Sequence, residues 1–78
     1  MKIKITKPDS VLFEGDVKLA QLPGTGGLFE ILNNHAPIIS SLEKGSIRLV
    51  TNDGEEKLFE IRGGVVKGQQ NDILILVQ

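Results

Sequence analysis

The residues of this chain that are best suited to chemistry lie in one stretch, from Leu22 to Leu42. It contains the glycine cluster Gly24-Thr25-Gly26-Gly27, the only histidine, His35, and the serine pair Ser40-Ser41. A glycine cluster binds phosphate when a helix N-terminus, and usually a lysine, follows it. Here Leu28-Phe29-Glu30-Ile31 follows, which favours a strand. The glycines are therefore interpreted as a tight turn and not as a nucleotide site.

His35 has few partners for chemistry in this sequence. A metal site would need further His or Cys ligands, and the chain has one His and no Cys. A catalytic His would need a nucleophile, but successive strand residues point to opposite faces, so at most one of Ser40 and Ser41 can approach the ring. No two acidic residues are placed by spacing to act as a general acid–base pair. We expect no catalytic, metal or cofactor site, and interpret His35 as a surface turn residue or an interface contact.

Length and composition narrow the class of protein further. The 78 residues predict one domain, 1–78, which buries only about 60% of its unfolded surface, so association with other subunits is a reasonable expectation. A net charge of −1 and three Phe as the only aromatic residues argue against a nucleic-acid surface. The longest apolar run, Ile73 to Val77, is far shorter than the ~20 residues of a membrane span. We expect a soluble protein without a signal peptide.

The spacing of glycine and proline predicts an all-β protein, because few stretches are long enough for a helix. The break at Gly15-Asp16 separates two short strands, and alternation after it places Val17 with Leu19 on one face and Ala20 with Leu22 on the other. The predicted strands are 2–6, 10–14, 16–22, 26–32, 36–42, 46–51, 55–62, 65–69 and 73–77. Short strands separated by turns indicate a β-sandwich or barrel.

Apolar residues are unusually dense between residues 28 and 39. This set comprises Leu28, Phe29, Ile31, Leu32, Ile38 and Ile39. Both faces of these strands cannot enter one thin core, so part of the set is expected to be exposed in the isolated domain and buried by a partner. The last strand is apolar on both faces, so it needs a second cover besides the core, from a neighbouring loop or from a partner.

Several motifs, in order along nearly the whole chain, resemble one family. They are Phe13-Glu14-Gly15-Asp16-Val17, Pro23-Gly24-x-x-Gly27 with Phe29-x-Ile31-Leu32, His35-Ala36-Pro37, Lys44-Gly45-x-Ile47-Arg48, Gly63-Gly64-Val65-Val66-Lys67 and Asn71-x-Ile73-x-Ile75-Leu76. The pattern resembles the N-terminal β-sandwich domain of the ε subunit of bacterial F-type ATP synthases. Asn33-Asn34 replaces the Pro-Gly that is common in the family, and Asn also tolerates a left-handed turn. The two-helix hairpin with which family members often continue does not follow Gln78, so we expect no inhibitory insertion by such a hairpin.

The resemblance implies a small sandwich of about ten short, mainly antiparallel strands. It also implies a non-catalytic rotor subunit in the central stalk of a proton-translocating ATP synthase, which links the γ subunit to the c-ring during ATP synthesis. Such a protein would be peripheral to the cytoplasmic face of the bacterial plasma membrane and would bind no cofactor, small-molecule substrate or nucleic acid.

Matched motifs also imply site residues. His35, Pro37 and Ser40 are expected on the γ side, and Leu28 and Glu30 on the c-ring side. The residues expected to form turns are Gly24, Gly27, Asn33, Asn34, Gly63 and Gly64.

Two other functions remain open at the level of sequence. A lipoyl- or biotinyl-type carrier domain of similar size would present a lysine at a hairpin tip. The predicted tips Asn52-Asp53-Gly54 and Gln70-Asn71 contain none, which leaves Lys44 as the candidate. A sugar-binding sandwich would need exposed aromatic residues. The chain has only three Phe and no Trp or Tyr, which argues against this function.

Overall fold

The computed structural model describes all residues, 1–78, as eight strands. They are β1 (Lys2–Lys7), β2 (Ser10–Gly24), β3 (Gly27–Leu32), β4 (Ile38–Leu42), β5 (Gly45–Thr51), β6 (Glu56–Ile61), β7 (Gly64–Gln69) and β8 (Asp72–Val77). The all-β prediction is confirmed, with eight strands in place of about ten. The chain contains no helix long and apolar enough to span a membrane.

The strand β2 runs without interruption through Gly15 and Asp16, so the predicted break there is wrong. Gly15 pairs with Ile3 and Asp16 with Lys2 of β1, and the antiparallel ladder therefore continues across both residues. Further along, the same strand pairs with β5 and β3. Neighbouring strands on both halves hold this 15-residue strand extended, and that outweighs the local preference of Gly-Asp for a turn.

A β-bulge in β2 changes which residues face the core. Val17 pairs with Thr51 and Leu19 with Val50. Thr51 and Val50 are adjacent in β5, so Lys18 is an extra residue in β2 that has no partner there. The bulge reverses the alternation, and Val17, Ala20 and Leu22 are all buried while Leu19 is only half-buried. The predicted grouping of Val17 with Leu19, opposite Ala20 and Leu22, is therefore wrong.

The strands form two packed layers that share β2. One layer contains β1, β8, β7 and β4 with the first half of β2, and the other contains the second half of β2 with β3, β5 and β6. All pairs are antiparallel except β1 with β8. The core between the layers consists of Ile3, Ile5, Val17, Ala20, Leu22, Ile31, Leu42, Ile47, Leu49, Ile61, Val66, Ile73, Ile75 and Val77.

The expected turn residues lie at strand ends and in the connections. Gly24 and Gly27 pair across the two-residue turn between β2 and β3, and Gly27 has a φ of 120°. Gly64 is the first residue of β7, where a Cβ would overlap the carbonyl oxygen of Leu76. The strand β4 begins at Ile38, two residues later than predicted, because Ala36 and Pro37 lie outside the ladder.

Candidate functional site

Part of the apolar set between residues 28 and 39 is exposed, as predicted. The side chains of Leu28, Leu32 and Ile39 are 68%, 52% and 79% exposed. Ile31 is buried, and Phe29 and Ile38 pack against the core from partly exposed positions. Because Leu28 and Leu32 lie on β3 and Ile39 on β4, the exposed residues are divided between the two layers.

The first exposed surface, here called the Leu28 face, is the outer face of the layer β3-β2-β5-β6. Its members are Leu28, Glu30, Leu32, Leu19, Gln21, Ser46, Arg48, Val50, Glu56, Leu58 and Glu60. Glu30, Gln21, Arg48 and Leu58 form one row across it, since each is the register partner of the next. Leu58 is 61% exposed. The face combines large apolar groups with a central row in which Glu30, Gln21 and Arg48 are polar.

The second surface, here called the Ile39 face, is the outer face of the layer β1-β8-β7-β4. Its members are Lys4, Thr6, Leu74, Leu76, Val65, Lys67, Ile39 and Ser41. On β8, Ile73, Ile75 and Val77 enter the core, while Leu74 and Leu76 remain 38% and 47% exposed. The outer side of the last strand is therefore only partly covered within the domain.

The connection that carries His35 is held at two points. The side-chain oxygen Oδ1 of Asn33 accepts a hydrogen bond from the α-amino group of Met1 (2.9 Å). The backbone N–H of Asn34 donates to Oδ1 of Asn71, which lies in the β7–β8 turn (2.8 Å). Asn34 adopts φ 63°, the left-handed conformation that Asn tolerates in place of Gly. These contacts fix the backbone that leads into His35.

The His35 ring is half-buried and lies against Gly68 of β7. A Cβ at Gly68 would approach the ring carbon Cε1 to 3.1 Å, so glycine allows the ring to pack there. Ring nitrogen Nδ1 lies 3.0 Å from the carbonyl oxygen of Ala36, whereas Nε2 is buried without a hydrogen-bond partner. The hydroxyl of Ser40 donates to the carbonyl oxygen of Ser41 (3.2 Å), so it does not pair with His35. The geometry is that of a packed ring in a turn and not of a nucleophile–base pair.

The structure brings some of the expected contact residues together. Glu30, His35 and Pro37 line one groove of about 400 Å³, so one residue expected on the c-ring side shares it with two expected on the γ side. Leu28 lies outside this groove at the far end of β3, and Ser40 lies on β4 with its side chain half-buried. The groove therefore connects the two expected contact regions at one edge of the sandwich.

Charged side chains are ordered in the centre of the Leu28 face. Arg48 contacts Glu56 (Nη1 to Oε2, 3.1 Å) and lies 3.8 Å from Glu30 (Nη2 to Oε2). Gln21 connects them: its Oε1 accepts from Arg48 Nε (3.4 Å) and its Nε2 donates to Glu30 Oε2 (3.3 Å). The four side chains form a continuous network across four strands.

Asp53, which lies outside this network, has a pKa that is clearly shifted. A hydrogen bond from the Thr51 hydroxyl lowers the pKa of Asp53 below its ordinary value of 3.8, and backbone hydrogen bonds add to the effect. Asp53 lies in the β5–β6 turn and is fully exposed. No group of three or more His, Asp and Glu side chains is arranged to hold a metal ion.

Sequence reasoning missed Leu58 and Arg48 as parts of an exposed face. The signal was available, because Leu58 and Phe59 are adjacent on one strand and only one of them can face inward. Phe59 packs against the core and its ring lies 6.0 Å from that of Phe13. Asn71 was also missed, and its contact with Asn34 joins residues 37 positions apart, which no local pattern predicts.

Comparison with known proteins gives a consistent result over the whole chain. Residues 1–78 match the family model described as the β-sandwich domain of the ATP synthase delta/epsilon chain. The ATP synthase epsilon chain of Chlorobium limicola is 35% identical over 77 residues, which are 99% of this chain and 88% of that one. The ATP synthase epsilon chain of Dichelobacter nodosus is 37% identical over 75 residues. In that case this chain spans about half, 52%, of the relative's length.

Solved structures show the same fold at low sequence identity. A chain of the mitochondrial ATP synthase of Euglena gracilis, in an assembly of OSCP, F1 and c-ring, superposes with a TM-score of 0.90 at 17% identity. The match covers 96% of this chain and 48% of that chain. A chain from the central stalk and c-ring of the Tetrahymena thermophila enzyme gives a TM-score of 0.77 at 19% identity, covering 99% and 62%.

Proposed function

Because this chain belongs to the family of ATP synthase delta/epsilon chains, we propose that it is a non-catalytic subunit of the rotating central stalk. Residues 1–78 would form one domain that joins the γ subunit to the c-ring, so that ion flow through the membrane part turns γ and drives ATP synthesis. We propose that other subunits hold it at the cytoplasmic face of a bacterial membrane. The ATP synthase epsilon chains of Chlorobium limicola and Dichelobacter nodosus, to which it is similar, support its place in such an enzyme.

The observation that carries this proposal is the exposure of large apolar side chains on both outer faces of a small domain. Leu28 and Leu58 lie on one face and Ile39 and Leu76 on the other, all more than a third exposed. Burying a leucine or isoleucine side chain stabilises a complex by roughly 1.5–3 kcal/mol before the cost of association. A domain with an apolar surface on each side is suited to lie between two larger proteins.

The site residues divide between these partners. His35, Pro37 and Ser40 are assigned to the γ side, and Leu28 and Glu30 to the c-ring side. The hydrogen bonds of Asn33 to Met1 and of Asn34 to Asn71 support the assignment to the γ side. They order the connection that contains His35 and Pro37 before binding, which reduces the entropy lost on docking. The sandwich itself resists deformation, since its two layers share the strand β2.

The experiment is copurification of the chain with the γ subunit and c-ring of the same organism. The wild-type chain is expected to form a complex at micromolar concentration. Leu28→Asp is expected to weaken retention of the c-ring, and Pro37→Asp retention of γ. Glu55→Ala, in the exposed β5–β6 turn, is the matched control and should bind like the wild type. Failure of the wild-type chain to bind either partner would refute the proposal.

A further inference from the structure

The network of polar side chains on the Leu28 face is more ordered than a solvent-exposed surface requires. It runs from Glu30 through Gln21 and Arg48 to Glu56, with distances of 3.1 to 3.4 Å at three of its contacts. Exposed ion pairs of this kind contribute little to stability, because holding long side chains in one geometry costs conformational entropy. Fixed charges are more valuable in recognition, where they set the orientation of a partner and reject others.

The charge on this face is unbalanced. Outward positions of β3, β5 and β6 carry the carboxylates of Glu30, Glu56 and Glu60, but only one cation, Arg48. Arg48 lies closer to Glu56 (3.1 Å) than to Glu30 (3.8 Å). Glu30 is therefore the less neutralised member of the network, and its side chain remains 44% exposed. A cationic group from outside would complete the pairing of Glu30.

Large apolar groups lie next to this polar network. Leu28 and Leu32 flank Glu30 at the i−2 and i+2 positions of β3, and Leu58 lies opposite Arg48 on β6. All three leucines are more than half exposed. Protein interfaces combine apolar contacts that are buried on binding with a few oriented polar groups, and this face has both.

We propose that the docking surface on the c-ring side extends beyond β3, across β2 and β5, to Leu58 of β6. Its occupant is a protein surface that places a basic side chain against Glu30 between apolar groups that cover Leu28, Leu32 and Leu58. Arg48 acts as a positioning residue, because it holds the carboxylates of Glu30 and Glu56 in place from between them. This inference rests on the proposed function, of which it specifies the contact chemistry.

The test measures binding of isolated c-ring, in detergent, to the immobilised complex of this chain with γ. Leu58→Ser should weaken affinity about tenfold, as expected for the loss of one buried leucine contact. Leu76→Ser makes the same substitution on the Ile39 face and is the matched control. It should alter affinity for the c-ring less than twofold. Both positions are exposed, and circular dichroism would verify that each variant is folded.

A second measurement addresses the charges. Glu30→Gln should make the binding constant depend less steeply on salt concentration, because one ionic contact with the partner is lost. Arg48→Met should reduce affinity although Arg48 is not assigned a contact with the partner, and the double variant Arg48→Met/Glu30→Gln should lose less than the sum of the two. That non-additivity is the signature of a residue that acts through Glu30.

The outcomes separate the inference from the proposed function. If Leu28→Ser weakens binding and Leu58→Ser does not, the surface stops at β3 and the inference is overturned while the proposed function stands. A loss with Leu76→Ser as large as that with Leu58→Ser would also overturn it, because the effect would not be specific to this face. If the wild-type complex does not bind the c-ring, both the inference and the proposed function are refuted.

Discussion

Replacement of Gly64 by alanine is expected to destabilise the domain strongly. Gly64 is the first residue of β7 and pairs with Leu42 of β4 and Val77 of β8. A Cβ there would overlap the carbonyl oxygen of Leu76 and approach Val77 Cα to 3.1 Å. These are backbone atoms, which cannot rotate away as a side chain can. The ladder between β7 and β8 must therefore open locally.

The size of the effect follows from two contributions. Overpacking costs about 1–3 kcal/mol, and loss of one ladder hydrogen bond adds about 1 kcal/mol, for a total of about 2–4 kcal/mol. A domain of 78 residues has a free energy of unfolding of roughly 4–12 kcal/mol. At roughly 4–8 °C per kcal/mol, the midpoint of thermal unfolding should fall by at least about 8 °C.

The assay is thermal unfolding followed by far-ultraviolet circular dichroism, with Gly26→Ala as the matched control. A Cβ at Gly26 meets no atom within 4 Å, so the same change there should cost no more than about 0.5 kcal/mol. A Gly64→Ala variant that melts within about 2 °C of the wild type would show that β7 and β8 do not approach as closely as described.

Three further variants test other parts of the structure. Ile75→Ala should cost about 2–5 kcal/mol in urea denaturation, because its side chain is fully buried, and an unchanged midpoint would contradict its place in the core. Asn34→Val should cost about 1–2 kcal/mol, since a β-branched residue is strained at φ 63°, whereas Asn34→Gly should melt like the wild type. Thr51→Val should raise the pKa of Asp53 toward 3.8 in an NMR titration. Because that pKa is lowered in the folded state, the associated stability is present above pH 3.8 and is lost as the pH falls through the lowered value. An unchanged pKa in the variant would rule out the hydroxyl as its cause.

The fold class was predictable because glycine, proline and asparagine mark most connections of this chain. The exceptions share a physical cause. Gly15-Asp16 has a local preference for a turn, but pairing with β1 keeps it extended, and the bulge at Lys18 depends on the register of β5. The residues next to Gly15-Asp16 and Lys18 do not determine the partner strand or its register. Local sequence patterns therefore predict a turn at the first position and miss the bulge at the second.

The exposed apolar residues were predictable in part for a similar reason. Leu28, Leu32 and Ile39 belong to a dense apolar segment, and density alone indicates that some of it lies outside the core. Their division between two faces was not predictable, because it depends on β3 and β4 lying in different layers. The network centred on Arg48 joins β5 to β3 and β6, and only the strand order brings Glu30 near Glu56.

The parallel pairing of β1 with β8 has a consequence for biosynthesis. Lys2 pairs with Asp72, so one side of the first strand is completed by a segment that is distant in sequence and is made much later. Until that segment leaves the ribosome, β1 presents an open edge that can pair with another nascent chain. Contacts this distant in sequence also make folding slow, on the order of milliseconds to seconds. The nascent chain is therefore prone to aggregation until β1 is paired on both sides. Binding to a chaperone, or early assembly with its partner subunits, would protect it during this time.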